Sequence, residues 1–153
     1  MSYAIGTAMT EVRAVLEPVL EGVWVGLGYD ANTIEWPNTY FNKPGTGQKP
    51  EGPWIRITYP QASTFALTWG GPGNVVQNTT LAILALQIFV PRNAGDALLL
   101  AASDAFRGAL ERRSFGEGIR FREALGPNDT AFESQWAGRA FSFPFEFIED
   151  IAI

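Results

Sequence analysis

The chain contains no cysteine and no histidine among its 153 residues. Without cysteine there is no disulfide, no thiolate nucleophile and no thiolate metal ligand. Without histidine there is no Ser-His-Asp or Cys-His arrangement, no imidazole metal ligand and no side chain whose ordinary pKa lies near neutrality. These absences predict a protein that is not an enzyme and has neither a cofactor nor a metal site, although a hydrolase that works with carboxylates alone stays open.

Charged residues are also scarce, at 18% of the chain against about 25% in ordinary soluble domains. The hydrophobic fraction is 46%, which favours a protein that loses part of its surface to partners. The alternative is a monomer with a neutral exterior of threonine, asparagine and glutamine. The net charge of -5 argues against a protein that grips nucleic acid phosphates.

The sequence predicts neither a secretory leader nor a membrane span. Glu11, Arg13 and Glu17 interrupt the first apolar segment, and no basic region precedes it, so we expect the protein to stay in the cytoplasm where it is made. The longest apolar run, residues 81–90, is too short to cross a membrane.

Two segments have the spacing of amphipathic helices. The apolar stripe of the first consists of Met9, Val12, Val15, Leu16, Val19 and Leu20. Pro18 removes a backbone donor inside this segment, so we expect it to kink the helix or to end it within a turn. The apolar stripe of the second consists of Leu98, Leu99, Ala102, Ala105, Phe106, Ala109 and Leu110. Gly116 and Gly118 are predicted to mark the end of that helix.

Alternating and continuous apolar segments predict strands over residues 34–36, 54–59, 64–69, 81–90, 119–122 and 141–147. Residues 54–59 and 64–69 predict a hairpin, and the glycines of 70–73 then lead into the buried strand 81–90, which gives an antiparallel meander. Every second residue of the last strand is a phenylalanine, at Phe141, Phe143, Phe145 and Phe147. We expect these rings to be core, and Pro144 to place the strand at a sheet edge or a bulge.

This order of elements predicts an α+β fold with a single domain over residues 1–153. A mostly antiparallel sheet, made of the meander and the C-terminal strands, packs against two helices. Between them, residues 37–53 are rich in proline, glycine and asparagine and form a long loop. Its two aromatic residues, Tyr40 and Phe41, favour a role in docking. A loop that folds back on the sheet is about equally favoured.

The layout and several segments resemble the tail-terminator or tail-completion proteins of long-tailed bacteriophages. The resemblance rests on Trp36-Pro37-Asn38 with Phe41, on Pro53-Trp54-Ile55-Arg56-Ile57-Thr58, on the strand that closes at Ile88-Phe89-Val90-Pro91, on the helix to Arg113 and on the strand from Phe141 to Phe147. It covers most of the chain except residues 127–136.

The resemblance implies a virion protein at the head-proximal end of the tail, assembled in the host cytoplasm. Such proteins form a ring, usually a hexamer, which stops polymerisation of the tail tube protein and meets the head-side connector. DNA is only passing cargo in the channel, and an acidic ring suits this because basic side chains would hold the phosphates.

We predict contacts to neighbouring subunits or partners at Tyr40, Phe41, Lys43, Lys49, Arg107, Arg112, Arg113, Arg120 and Arg122. Two other functions stay open. One is a head-tail joining or neck protein of the same region of the virion. The other is a soluble domain that binds a ligand on an aromatic platform made from Trp24, Trp36, Trp54, Trp69 or Trp136.

Overall fold

A computed structural model describes residues 5–37, 52–68, 75–91, 97–116, 118–132 and 136–152. Within these ranges the chain forms two helices, one 3-10 turn and seven strands. In chain order they are α1 (Ile5–Gly26), the turn (Ala31–Thr33), β1 (Ile34–Glu35), β2 (Trp54–Thr68), β3 (Val75–Pro91), α2 (Ala97–Leu110), β4 (Ser114–Phe115), β5 (Ile119–Phe121), β6 (Leu125–Phe132) and β7 (Trp136–Ala152).

The seven strands form one sheet with the order β1-β2-β3-β7-β5-β4, and β6 also pairs with β7. β1 runs parallel to β2, and the other pairs are antiparallel. β7 lies in the interior, because β3 pairs with one side of it along its whole length while β5 and β6 share the other side. The predicted α+β class is confirmed.

The core lies between one face of the sheet and the two helices. The sheet contributes alternate residues, namely Ile55, Ile57, Leu84, Leu86, Ile88, Ile119, Phe121, Phe141, Phe143 and Phe145. The helices contribute Val12, Leu16, Leu20, Trp24, Leu99, Ala102, Phe106 and Leu110. The phenylalanines of β7 are core as predicted, and Phe147 is partly buried against them.

Pro18 does not end α1, which continues to Gly26. Of the two alternatives predicted at Pro18, the one in which the helix ends within a turn is therefore wrong, and the kink stays a prediction. Pro18 lies on the exposed face, and the two residues that follow it on the buried stripe, Leu20 and Trp24, are fully buried. We attribute the continuation to their packing, which offsets the cost of a proline inside a helix.

The predicted hairpin between residues 59 and 64 is also wrong, because β2 runs unbroken from Trp54 to Thr68 and pairs with β3 throughout. The break in the pattern at Tyr59 and Pro60 reflects a bulge. The register shifts between Thr58 and Gln61, so two residues are accommodated without a turn. The glycines of residues 70–73 lie outside the described ranges.

Pro144 lies in an interior strand and pairs with Ile83 of β3 in an unbroken register, so both predicted positions, a sheet edge and a bulge, are wrong. Its carbonyl accepts a hydrogen bond from the Arg122 N–H at 3.0 Å. In a regular ladder the Arg122 carbonyl would receive a bond in return, which proline cannot donate. β5 ends at Phe121, one residue before this position, and the Arg122 carbonyl instead accepts from the Arg112 N–H at 3.4 Å.

Gly116 and Gly118 flank the turn of the β4–β5 hairpin and do not end α2, which is a further correction. α2 ends at Leu110, and the residue that takes the left-handed conformation after it is Arg112, with φ 58°.

The sequence did not predict β4 or β6. β4 has only two residues, and Gly126 and Pro127 break the alternation that would have indicated β6.

Candidate subunit and partner interface

The five arginines predicted to make contacts lie where α2 ends and at the β4–β5 hairpin. Arg107 is in the last turn of α2, Arg112 and Arg113 lie between α2 and β4, Arg120 lies in β5 and Arg122 follows it. The hairpin is joined to this helix end, because the Arg113 carbonyl accepts the Phe121 N–H at 2.9 Å. The fold thus brings all five residues to the β5 side of the molecule.

Three of these arginines pair with carboxylates of the same subunit. Arg107 Nη2 lies 3.3 Å from Glu111 Oε2, Arg122 Nη2 lies 4.0 Å from Glu146 Oε2, and Arg112 pairs with Glu123. The hydrogen bond and the charge of Glu123 raise the pKa of Arg112. Exposed pairs of this kind contribute about 0–1 kcal/mol. They orient the side chains more than they stabilise the fold.

Glu111 connects α2 to the segment that leads into β6. Its Oε2 accepts the Ala124 N–H at 2.9 Å as well as the bond from Arg107. The backbone hydrogen bond from Ala124 is the main reason that the pKa of Glu111 is lowered, and the neighbouring charge of Arg107 adds to it. This carboxylate therefore has a structural role.

Arg113 and Arg120 differ from the other three. Both are exposed, and neither has an ion pair with any residue in the described ranges. Arg120 lies between two buried residues of β5, Ile119 and Phe121, so its side chain is on the sheet face away from the helices. These two guanidinium groups are the strongest candidates for contacts to another molecule.

The four loop residues predicted to make contacts, Tyr40, Phe41, Lys43 and Lys49, lie outside the described residues. That part of the predicted interface stays a prediction.

Five large aliphatic side chains are exposed on the helices and on two strands. They are Val15 and Val25 on α1, Leu100 on α2, Leu81 on β3 and Leu125 on β6. Val15 had been assigned to the buried stripe of α1, but it is 39% exposed and lies on the opposite side from Leu16 and Leu20. The sequence did contain a signal for this exposure. Val15 lies one turn after Glu11 and shares a helix face with Ala14 and Pro18.

The tryptophans give little support to an aromatic binding platform. Trp24 and Trp54 are fully buried, and Trp36 is partly buried against the core. The side chains of Trp69 and Trp136 lie outside the described part of the chain. At least two of the five candidate rings are therefore unable to meet a ligand at the surface.

Trp54 instead belongs to a cluster on the outer sheet face that the sequence pattern did not indicate. Its ring stacks on Phe89 at 4.3 Å between centroids, and the Arg56 guanidinium lies 5.4 Å from the Trp54 ring. Arg56 Nε also donates to Glu35 Oε1 at 2.9 Å. The cluster ties the short β1 to β2 and β3 by packing and by a charge-assisted bond.

The described residues include no group of three or more carboxylates that could hold a metal ion. No helix in the described ranges is long and apolar enough to cross a membrane.

No protein-family model matches the chain, and no curated protein matches its sequence. Solved structures are similar in fold. One is a chain from the virion of a native gene transfer agent particle, with 15% sequence identity and a TM-score of 0.56, and the match covers 97% of this chain and 100% of that one. A second solved protein, whose name describes no function, is 16% identical with a TM-score of 0.52, over 93% of this chain and 94% of that one. At sequence identities this low, the two matches show that the chains share a fold.

Proposed function

We propose that this chain is a structural protein of a phage-like particle and that it caps the end of the tail tube as an oligomeric ring. The ring stops polymerisation of the tube and provides the joint to the head-side connector. The observation that carries the proposal is the match with a virion component, which spans 97% of this chain and all of that one. Two chains that agree from end to end share the whole domain and not only a common motif.

The surface supports the same proposal. Only 18% of the residues are charged, and Val15, Val25 and Leu100 on the helices are exposed, as is Leu125 on β6. A low fraction of charged residues is typical of a surface that a partner covers, and these aliphatic side chains add apolar area to such a surface. A ring subunit needs two such surfaces, one for each neighbour.

The net charge of -5 is compatible with a channel that DNA passes through. Lysine and arginine that neutralise phosphates release counterions and bind DNA, which would hold the passing strand. Within the described ranges, three of the arginines on the β5 side are already paired with carboxylates. Their charge is therefore partly neutralised within the subunit.

Particles that lack this protein test the proposal. We expect overlong tails or tails without heads, which electron microscopy measures directly, and we expect normal length when the gene is supplied in trans. Tails of normal length that fail only to attach to heads would instead identify a head-tail joining or neck protein. Infectious particles with normal tails would contradict a role in the tail.

A further inference from the structure

Two opposite flanks of the sheet carry polar groups that find no partner among the described residues. One flank is the β4–β5 hairpin with Arg113 and Arg120, described above. The other is the outer edge of β2, where β1 pairs only at Ile55 and Arg56. From residue 57 to residue 68 this edge has no strand beside it in the described ranges.

The backbone groups that face the open edge of β2 follow from two hydrogen bonds at β7. The Pro144 carbonyl and the Ile148 N–H both bond toward β5, so the even-numbered residues of β7 face β5 and the odd-numbered ones face β3. The same alternation continues across the sheet, because β3 pairs with β7 and β2 pairs with β3. The backbone N–H and carbonyl groups of Gln61, Ser63 and Phe65 therefore bond to β3. The N–H and carbonyl groups of Ala62, Thr64 and Ala66 therefore face outward.

The two flanks lie at the same level along the strands. Arg120 is opposite Glu146, Glu146 is opposite Leu81, and Leu81 is opposite Ser63, so one row across the sheet joins Arg120 to the middle of the open edge of β2. A rotation about an axis parallel to the strands, without translation, would bring one flank against the other. This is the geometry that a closed ring requires.

α1 places a negative charge beside the first part of the open edge of β2. The Arg13 guanidinium lies 5.9 Å from the Tyr59 ring of β2, which places this part of the helix over that strand. Glu11, less than one turn earlier, is exposed and has no ion pair with a described residue, whereas Glu17 is paired with Arg13. Val15, one turn from Glu11, is exposed on the same face.

We propose that the β4–β5 hairpin of one subunit packs against the α1–β2 flank of the next copy. Arg113 lies opposite the buried Phe121, on the helix side of the sheet, and donates to Glu11, whereas Arg120 donates to the outward carbonyls of Ala62 and Thr64. The occupant is a second copy because both complementary surfaces belong to this chain and lie in one row on opposite sides. The inference rests on the proposed ring and names its subunit contact.

Charge reversal tests the contact. Arg113→Glu and Glu11→Arg should each lower the fraction of protein in rings about tenfold or more, because each brings like charges together. An equal mixture of the two variants should restore rings, since an alternating ring contains only opposite-charge contacts. Asp104→Arg is the matched control. Asp104 is exposed on α2 and belongs to neither proposed surface, so this variant should assemble normally. Native mass spectrometry in solution and electron microscopy of tube ends count the rings.

The results of this experiment distinguish an error in the proposed subunit contact from an error in the proposed function. Variants that assemble normally, or a mixture that stays as defective as its components, would overturn the contact even if the native protein caps tubes. A mixture that recovers only as dimers would show a two-fold contact and would also overturn the inference. If the mixture restores rings but the native protein has no effect on tube length, the contact stands and the proposed function is wrong. Retained circular dichroism and melting temperature show that each variant is folded.

Discussion

Trp24 and Tyr59 both carry a polar atom into the packing between α1 and the sheet, and they differ in how that atom is satisfied. The Trp24 indole Nε1 donates to Thr33 Oγ1 at 2.7 Å, and the Thr33 hydroxyl in turn donates to the Asp30 carbonyl at 2.6 Å. The Tyr59 hydroxyl is buried and has no hydrogen-bond partner in the described part of the chain. Burial, followed by the charge of Glu17, raises the pKa of Tyr59 far above its ordinary value.

These two environments predict stability changes of opposite sign. Tyr59→Phe removes a buried polar atom without a partner, so the free energy of unfolding should rise by about 1 kcal/mol. Thr33→Val leaves the Trp24 N–H unsatisfied, so it should lower the free energy of unfolding by about 1–2 kcal/mol. Urea unfolding followed by tryptophan fluorescence measures both. Equal effects of the same sign would contradict the assignment.

Phe143 is fully buried in the middle of the phenylalanine face of β7. Truncation to alanine leaves a cavity against the helices, so Phe143→Ala should cost about 3–5 kcal/mol of stability in chemical unfolding. Leu125→Ala is the control, because Leu125 is 60% exposed. It should change the stability of the isolated subunit by less than about 0.5 kcal/mol. A stable Phe143→Ala variant that fails only to assemble would place the ring at an interface instead.

At the scale of elements, the hairpin β4–β5 depends on a close backbone approach. A Cβ atom at Gly118 would overlap the Ile148 carbonyl oxygen of β7, whereas a Cβ atom at Gly108 on α2 would meet nothing within 4 Å. The first glycine is required by packing between strands, and the second is a helical glycine in open space.

Alanine at these two glycines should therefore have opposite effects. Gly118→Ala should destabilise the subunit by about 2 kcal/mol or more, because backbone has to shift at β7. Gly108→Ala should stabilise it by about 1 kcal/mol, because alanine is the better helix former. Thermal unfolding of the two variants compares them directly. A neutral Gly118→Ala would show that the hairpin is not held against β7.

The junction between α2 and the segment before β6 should be sensitive to acid. The pKa of Glu111 is lowered in the folded state, chiefly by the Ala124 N–H, so its contribution to stability is present above its ordinary pKa of 4.5 and is lost as the pH falls through the lower folded value. Glu111→Gln should reduce this loss of stability on acidification. Unfolding measured as a function of pH tests it against Glu21→Gln, a change at an exposed glutamate of α1. Identical pH profiles for the native chain and Glu111→Gln would contradict the assigned role.

At the scale of the whole molecule, the sequence predicted the fold class and the core because burial follows simple periods of two and 3.6 residues. The phenylalanines of β7 and the stripe of α2 are examples. It failed where a local signal competes with tertiary packing. Pro18 is tolerated inside α1 because Leu20 and Trp24, which follow it, are buried. Pro144 is tolerated because it lacks a backbone N–H on the side of β7 where β5 has already ended, so no ladder bond is lost.

The candidate interface could be predicted only in part. The sequence identified the arginines by their number and spacing, but it could not separate Arg113 and Arg120 from the three that pair with Glu111, Glu123 and Glu146. Glu123 and Glu146 lie 11 and 24 positions from Arg112 and Arg122, and the fold brings them together, whereas Glu111 is only four positions from Arg107. The open edge of β2 was equally hidden, because residues 64–69 were assigned to a separate strand.

Growth of tail tubes in the presence of the purified protein tests the central claim most directly. The tail tube protein of the same particle would be polymerised with and without this chain, and electron microscopy would measure the tube lengths and the tube ends. We predict tubes that stop growing and carry a closed ring at one end only. Tubes of unchanged length without rings at either end would contradict the claim that this protein terminates the tail.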